Sequence, residues 1–174
     1  QKWFGVPVAA PDLPFSRGSL PAGELMMSAE DFGHYLIAHL NAGSYHGVAI
    51  ASPAGIAELH RPAAQMSGMG HTYAMGWEVQ AYQNVQVISH DGAVPGFTTG
   101  MFLVPDKNMA VAVMLNTQSP MLGNRVAGVP GNVLRLVLGQ TIVPLTESPA
   151  MQIVYAFVML TPLSLPVTAG VLEI

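Results

Sequence analysis

Apolar residues recur at helical spacing early in the chain and predict two helices. The first helix has a buried face formed by Phe32, Leu36, Ile37 and Leu40. Ser28 and Asp31 approximate a capping box at its start, and residues 41–43 end in a glycine suited to its C-terminus. A shorter second helix is predicted to begin at Ser52-Pro53 and to end at about His60.

The apolar spacing then changes from the helical period to that of strands. Two strands are predicted at residues 73–82 and 85–90, around a Gln83-Asn84 turn. Two more are predicted at residues 98–104 and 109–116, joined by a hairpin turn of Pro, Asp, Lys and Asn. The last strand is apolar on both faces from Met109 to Leu115, which indicates a central strand covered on both sides.

The remaining segments complete an α+β prediction. Residues 1–25 are rich in Pro and Gly and are expected to form an ordered connector without regular structure. Residues 133–138 indicate a short helix that ends at Gly139. The predicted fold is therefore an antiparallel sheet flanked by helices.

Composition narrows the possible classes of protein. The 174 residues are 51% hydrophobic and only 9% charged, which excludes a disordered chain and a coiled coil. A net charge of −4 with six Lys and Arg argues against a nucleic-acid partner, because that affinity depends on neutralising phosphates. With no Cys, the chain has no disulfide and no thiolate chemistry.

A 25-residue stretch, 148–172, carries no charge, and 16 of its residues are hydrophobic. That length suits a membrane-spanning helix. We therefore expect membrane association through 148–172, with a buried terminal element of a soluble domain as the alternative. The chain starts at Gln1 without a signal-peptide pattern and stops just after the apolar stretch, so we expect a fragment whose N-terminal half is missing. The predicted domain covers residues 1–147.

The residues most suggestive of chemistry are His90-Asp91-Gly92-Ala93-Val94-Pro95-Gly96-Phe97, at the end of a strand and entering a Gly/Pro-rich turn. Glycine here permits close backbone approach. An imidazole beside an accessible backbone N–H could meet a substrate. A structural, hydrogen-bonded histidine is the alternative interpretation.

Several motifs occur in an order that resembles the C-terminal part of the serine β-lactamase and penicillin-binding-protein family. The resemblance covers about residues 18–138 and is closest to class C β-lactamases, D-aminopeptidases and esterases. It is carried by Leu20-Pro21-Ala22-Gly23-Glu24-Leu25, Ser28-Ala29-Glu30-Asp31 opening a helix, Tyr73-Ala74-Met75-Gly76-Trp77, His90-Asp91-Gly92, Pro95-Gly96-Phe97, Pro105-Asp106 and an apolar strand ending at Leu115-Asn116.

The resemblance implies a serine acyl-transfer site with no metal or other cofactor, acting on a small-molecule or peptide-like substrate. His90-Asp91-Gly92 matches the family's third motif, Lys/His-x-Gly. His90 would then face the substrate and bind its carboxylate or help to move a proton. Gly92 would let the substrate lie against the strand, and the N–H of Ala93 would be an oxyanion donor. Asp91 stands where the family often has Ser or Thr, and it would repel a substrate carboxylate.

The sequence departs from the family where the nucleophile is expected. The only lysines are Lys2 and Lys107, and neither follows a Ser three residues earlier, so S-x-x-K is absent. Tyr82-Gln83-Asn84 matches Y-x-N formally, but it lies in a predicted turn and is interpreted as coincidence. The histidines His46, His60 and His71 are expected on the surface or in loops, and no metal site is predicted.

Three hypotheses follow. The first is part of a serine hydrolase acting on an amide or ester bond, membrane-anchored and facing the periplasm or the cell exterior, as the resemblance implies. The second is a catalytically inactive relative that serves as a binding or interaction domain beside a membrane. The third is a plain membrane-protein fragment.

Overall fold

The computed structural model describes the greater part of the chain, namely residues 2–3, 6–7, 9, 17–68, 70–118, 123–146, 153–154 and 156–157. The strands are β1 (Lys2–Trp3), β2 (Val6–Pro7), β3 (Ser44–Tyr45), β4 (Val48–Ala49), β5 (Ala64–Gln65), β6 (Thr72–Tyr73), β7 (Glu78–Tyr82), β8 (Val85–Val94), β9 (Phe97–Val104) and β10 (Met109–Leu115). The α-helices are α1 (Leu20–Gly23), α2 (Ala29–Leu40), α3 (Pro53–Leu59) and α4 (Gly123–Val137).

The main sheet has six antiparallel strands in the order β10-β9-β8-β7-β6-β5. Each strand therefore pairs with the one that follows it in the sequence, which makes the sheet a meander. Two further sheets of two strands each pair β1 with β2 and β3 with β4. The predicted α+β class with an antiparallel sheet is confirmed.

Local sequence explains where α2 and α3 begin. The Ser28 side chain accepts a hydrogen bond from the backbone N–H of Asp31 at 3.1 Å, and acidic residues occupy the first turn of α2. Ser52 accepts a bond from the N–H of Gly55 at 3.0 Å, and Pro53 starts α3. These side chains satisfy N–H groups that have no partner within the helix. Both predicted helices are confirmed.

The core lies on both faces of the sheet. On one face Leu36 of α2 packs with Trp77, Ile88 and Leu103. On the other face Leu134 of α4 packs with two fully buried valines, Val87 and Val104. Val87 and Ile88 are neighbours on β8 and so point to opposite faces. Trp77 is only 2% exposed and anchors the core on the first of these faces.

The structure corrects the predicted strand at residues 73–82. The strand is interrupted between β6 and β7, where the N–H of Ala74 donates to the carbonyl of Trp77 at 2.7 Å. Gly76 has a φ of 76°, which permits this tight turn. The apolar residues in this stretch favoured one long strand, whereas the glycine conformation divides it.

The predicted central position of β10 is also wrong within the part of the chain that the structure describes. There β10 lies at the end of the six-stranded sheet and pairs only with β9. Its apolar character on both faces has another cause, because both α2 and α4 contact it. An edge strand that is covered above and below has the same sequence pattern as a central strand.

The predictions for the two ends of the chain are either corrected by the structure or lie outside the described residues. The helix expected at 133–138 begins earlier, at Gly123, and contains Pro130. The connector predicted at 1–25 contains the short elements β1, β2 and α1. The stretch 148–172 lies almost wholly outside the described residues, and none of the helices that the structure does describe is long and apolar enough to cross a membrane.

Candidate active site

Strand β8 runs on to Val94, so His90 lies within the strand and not at its end, where the sequence predicted it. From His90 onward β8 extends beyond its neighbour β7. The pairing between β7 and β8 runs from Tyr82 opposite Val85 to Glu78 opposite Ser89. Residues 90–94 continue the pairing with β9 alone, as far as Val94 opposite Phe97. Within the described chain, one edge of this five-residue extension therefore has no strand beside it.

The His90 ring is half-buried and is held at both nitrogens. Its Nδ1 lies 2.6 Å from the backbone oxygen of Asp91. Its Nε2 lies 3.0 Å from the hydroxyl of Tyr73, which reaches it from β6, and the two rings meet edge to face. Sequence reasoning noted Tyr73 only as part of a family motif. The contact joins residues 17 apart, and no local spacing signals it.

Gly92 and Ala93 follow His90 along the open part of β8. Gly92 lies opposite Thr99, and a Cβ at this position would come within 2.8 Å of the Thr99 hydroxyl. The hairpin loop of Pro95 and Gly96 is two residues long, so the flanking Val94 and Phe97 form a hydrogen-bonded pair. The alternation of the ladder then turns the N–H of Ala93 away from β9, toward the open edge.

The charge at this part of the sheet is negative. Asp91 is exposed and lies on the face of β8 opposite to His90, because neighbouring strand residues alternate. Neither β8 nor β9 contains a Lys or Arg. These two strands therefore offer no fixed positive charge to a substrate carboxylate.

The Tyr82-Gln83-Asn84 sequence lies just before β8 begins, whereas His90 is the sixth of the ten residues of that strand. Gln83 and Asn84 both have positive φ, 47° and 64°, and form the turn between β7 and β8. The guanidinium of Arg135 lies 5.2 Å from the centre of the Tyr82 ring. The turn predicted here is confirmed, and these residues are not brought to His90.

A histidine pair lies between α2 and α3, where His60 stands in the turn that ends α3, consistent with its predicted loop position, but is half-buried. His39 is buried, and its Nδ1 lies 3.0 Å from Nε2 of His60. The Trp77 ring lies 5.0 Å from His39 and 5.1 Å from His60, and the Tyr35 ring lies 4.5 Å from His39. His60 follows the last residue of α3, and its ring meets Trp77 edge to face. The polarity of a histidine does not indicate such a contact.

Burial in this aromatic cluster disfavours the charged form of both rings. It lowers the pKa of His39 to about 4, with the nearby His60 adding to the effect. Burial also lowers the pKa of His60. At neutral pH the pair is therefore uncharged and joined by one hydrogen bond. Among the described residues, no group of three or more potential ligands could hold a metal ion.

Two cavities lie away from His90. One, of about 320 Å³, is beside the β7–β8 turn and is lined by Val79, Asn84 and Asp106 among others. The other, of about 200 Å³, lies between α2 and α3 and is lined by His39 and His60. Residues 90–94 line neither of these cavities, and residues 91–94 are exposed on the surface of the sheet.

Comparison with known proteins identifies the family. Residues 3–128, more than two thirds of the chain, match the Beta-lactamase family model. The chain belongs to this family, and the resemblance seen in the sequence is confirmed.

Two similar proteins show how much of a family member the chain represents. It is 42% identical over 45 residues to the unguisins hydrolase ungD' of Aspergillus campestris, a match that covers 26% of this chain and 8% of that protein. It also resembles the octameric penicillin-binding protein homologue from Pyrococcus abyssi, with a TM-score of 0.54 and 21% identity over 66% of this chain and 25% of the other. The second similarity supports the fold alone. The chain spans no more than about a quarter of either relative.

Proposed function

We propose that this chain supplies one wall of the substrate cleft in a serine hydrolase that cleaves an amide or ester bond through an acyl-enzyme. The observation that carries the proposal is the open edge of β8 at residues 90–94. A peptide-like or small-molecule substrate can lie along such an edge and hydrogen-bond to its backbone. Membership of the Beta-lactamase family supports this chemistry.

The residues on this edge have distinct roles in the proposed reaction. His90 faces the substrate. Gly92 has no side chain, so the substrate can lie against the strand. The N–H of Ala93 stabilises the oxyanion that forms when a nucleophile attacks the carbonyl. Neither lysine follows a serine three residues earlier, so the nucleophile comes from outside these 174 residues. The expected membrane attachment and the periplasmic or extracellular location remain predictions.

The experiment uses the protein extended by the segment that carries the nucleophile. Incubation with a chromogenic ester and with a β-lactam should give a burst of product and a covalent adduct in the intact mass. The 174-residue chain should give no adduct. His90→Ala should lower the rate at least tenfold, whereas the exposed His46→Ala should not change it.

The outcomes separate the hypotheses. A rate within twofold of wild type for His90→Ala would exclude the role given to this histidine. Binding of either compound without any adduct would instead favour the inactive binding domain, which the absence of S-x-x-K from the chain makes the second candidate.

A further inference from the structure

The two hydrogen bonds of His90 define where its proton lies. A backbone carbonyl oxygen can only accept, so the 2.6 Å contact with Asp91 requires a proton on Nδ1. A neutral imidazole carries one proton, which leaves Nε2 as an acceptor. The Tyr73 hydroxyl at 3.0 Å must then donate to Nε2.

The backbone of Tyr73 is anchored in the sheet, so its side chain can hold the His90 ring on another strand. It lies in β6, between Ala64 of β5 and Glu78 of β7 in the sheet register. Its own carbonyl accepts from the N–H of Ala63 at 2.9 Å, so its backbone is anchored by the sheet. The hydroxyl therefore reaches His90 from a supported position.

We propose that Tyr73 is a positioning residue that holds His90 with its proton on Nδ1 and its lone pair on Nε2. The benefit to catalysis rests on the proposed function, in which His90 faces the substrate. Nε2 is the atom that would gain or lose a proton in the reaction. Side chains that hold a catalytic histidine in one tautomer are important because a misplaced proton disables proton transfer.

The arrangement also separates the two roles that the sequence left open for His90. With Nδ1 bonded to Asp91 and Nε2 accepting from Tyr73, the neutral ring has no free N–H for a substrate carboxylate. Proton transfer at Nε2 requires the Tyr73 hydroxyl to turn its proton away, which frees the lone pair for a proton from the reacting group. The hydroxyl oxygen can then accept from the protonated Nε2. The absence of a free N–H favours a substrate whose reacting region lacks a carboxylate.

The test that does not depend on activity uses the 174-residue chain with ¹⁵N-labelled histidine. The ¹⁵N shifts of His90 in the neutral ring should show a protonated Nδ1 and an unprotonated Nε2. In Tyr73→Phe the Nε2 resonance should move, because its hydrogen-bond donor is lost, and a second tautomer should become populated. Tyr82→Phe, which removes a hydroxyl at the far end of β8, should leave both resonances unchanged.

The outcomes distinguish this inference from the proposed function. A proton on Nε2 in the wild-type chain, or unchanged shifts in a folded Tyr73→Phe, would overturn the positioning role. If Tyr73→Phe does not fold, the wild-type Nε2 shift decides the question, because a nitrogen that accepts a hydrogen bond resonates upfield of a free one. In the extended enzyme, Tyr73→Phe should lower kcat about tenfold and leave KM within twofold. An altered His90 spectrum with unchanged kcat would uphold the positioning role and count against the proposed function.

Discussion

His39 and His60 form an uncharged, hydrogen-bonded pair inside an aromatic cluster, with nitrogen atoms 3.0 Å apart. The rings around them are those of Tyr35 and Trp77, which carry no charge. Adding a proton would replace a neutral hydrogen bond with a buried cation that has no anion beside it in this cluster. The pair therefore links the stability of the fold to pH.

Stability should fall as the pH is lowered from about 6.5 towards 4. In the folded protein burial moves the pKa of His39 from 6.5 to about 4. Between these values the unfolded chain binds a proton that the folded chain excludes, so acid favours unfolding. The contribution is complete above pH 6.5 and is lost as the pH falls through this window. Urea unfolding midpoints measured at a series of pH values test the trend.

A matched pair of variants assigns the effect, since carboxyl groups also titrate in acid. His39→Gln removes the titrating ring and should flatten the dependence between pH 6.5 and 4. His46→Gln changes an exposed histidine and should leave the slope as in wild type. Equal slopes for wild type and His39→Gln would show that the buried pair does not cause the dependence.

Gly100 of β9 packs against α4. A Cβ added there would lie 2.5 Å from the Cβ of Pro130. Gly100→Ala should destabilise the fold by about 1–3 kcal/mol through overpacking. Gly131→Ala, one residue after Pro130 and with open space around its Cβ, should stabilise it by about 0.5–1 kcal/mol. Urea unfolding measures both, and a neutral Gly100→Ala would refute the close contact.

At the scale of elements, the β7–β8 turn depends on the residue at position 84. Asn84 has a φ of 64°, a conformation that Asn tolerates and β-branched residues avoid. Asn84→Val should therefore lower the free energy of unfolding by about 1–2 kcal/mol, whereas Asn84→Gly should preserve or raise it. Thermal and urea unfolding of the two variants provide the measurement.

The exposed Gln86 on the adjoining strand offers the control. It does not have a positive φ, so Gln86→Val adds the same side chain where strand geometry favours it. A loss of stability as large in Gln86→Val as in Asn84→Val would show that the turn conformation is not responsible.

Elements with strong local signals could be predicted from the sequence. The caps of α2 and α3 lie within three residues of the groups that they bind, at Ser28 and Ser52. The β9–β10 hairpin has its turn chemistry between two apolar runs. The edge position of β10 could not be predicted, because α2, which covers one of its faces, is remote in sequence.

In the candidate site, too, features formed by neighbouring residues could be predicted, whereas contacts between residues distant in sequence could not. His90, Asp91 and Gly92 were found because they are consecutive and form part of a family motif. Tyr73 is brought to His90 by the interruption between β6 and β7, which the sequence pattern did not indicate. The His39–His60 pair was missed because 21 residues separate its members.

Considered as a whole molecule, the chain combines few charges with many exposed apolar side chains. Leu25 and Met26 are 74% and 89% exposed and are adjacent in the sequence. Only 9% of the residues are charged. Apolar surface that is not balanced by charge promotes association.

The double change Leu25→Gln and Met26→Gln should reduce concentration-dependent association of the 174-residue chain. Light scattering or sedimentation would measure the difference. Neither side chain is buried, so the free energy of unfolding should change by less than about 0.5 kcal/mol. Asn41→Gln is the exposed polar control, and the same association in both variants would exclude this surface as the cause.

The meander order of the main sheet has a consequence for how the chain folds. Each of the six strands pairs with its neighbour in sequence, so every pairing closes only a short loop of chain. A sheet with such local contacts has a low contact order for its class, which favours rapid folding. The β7–β8 hairpin can form first and each remaining strand can add in turn. On the ribosome, the sheet could assemble progressively as its strands emerge.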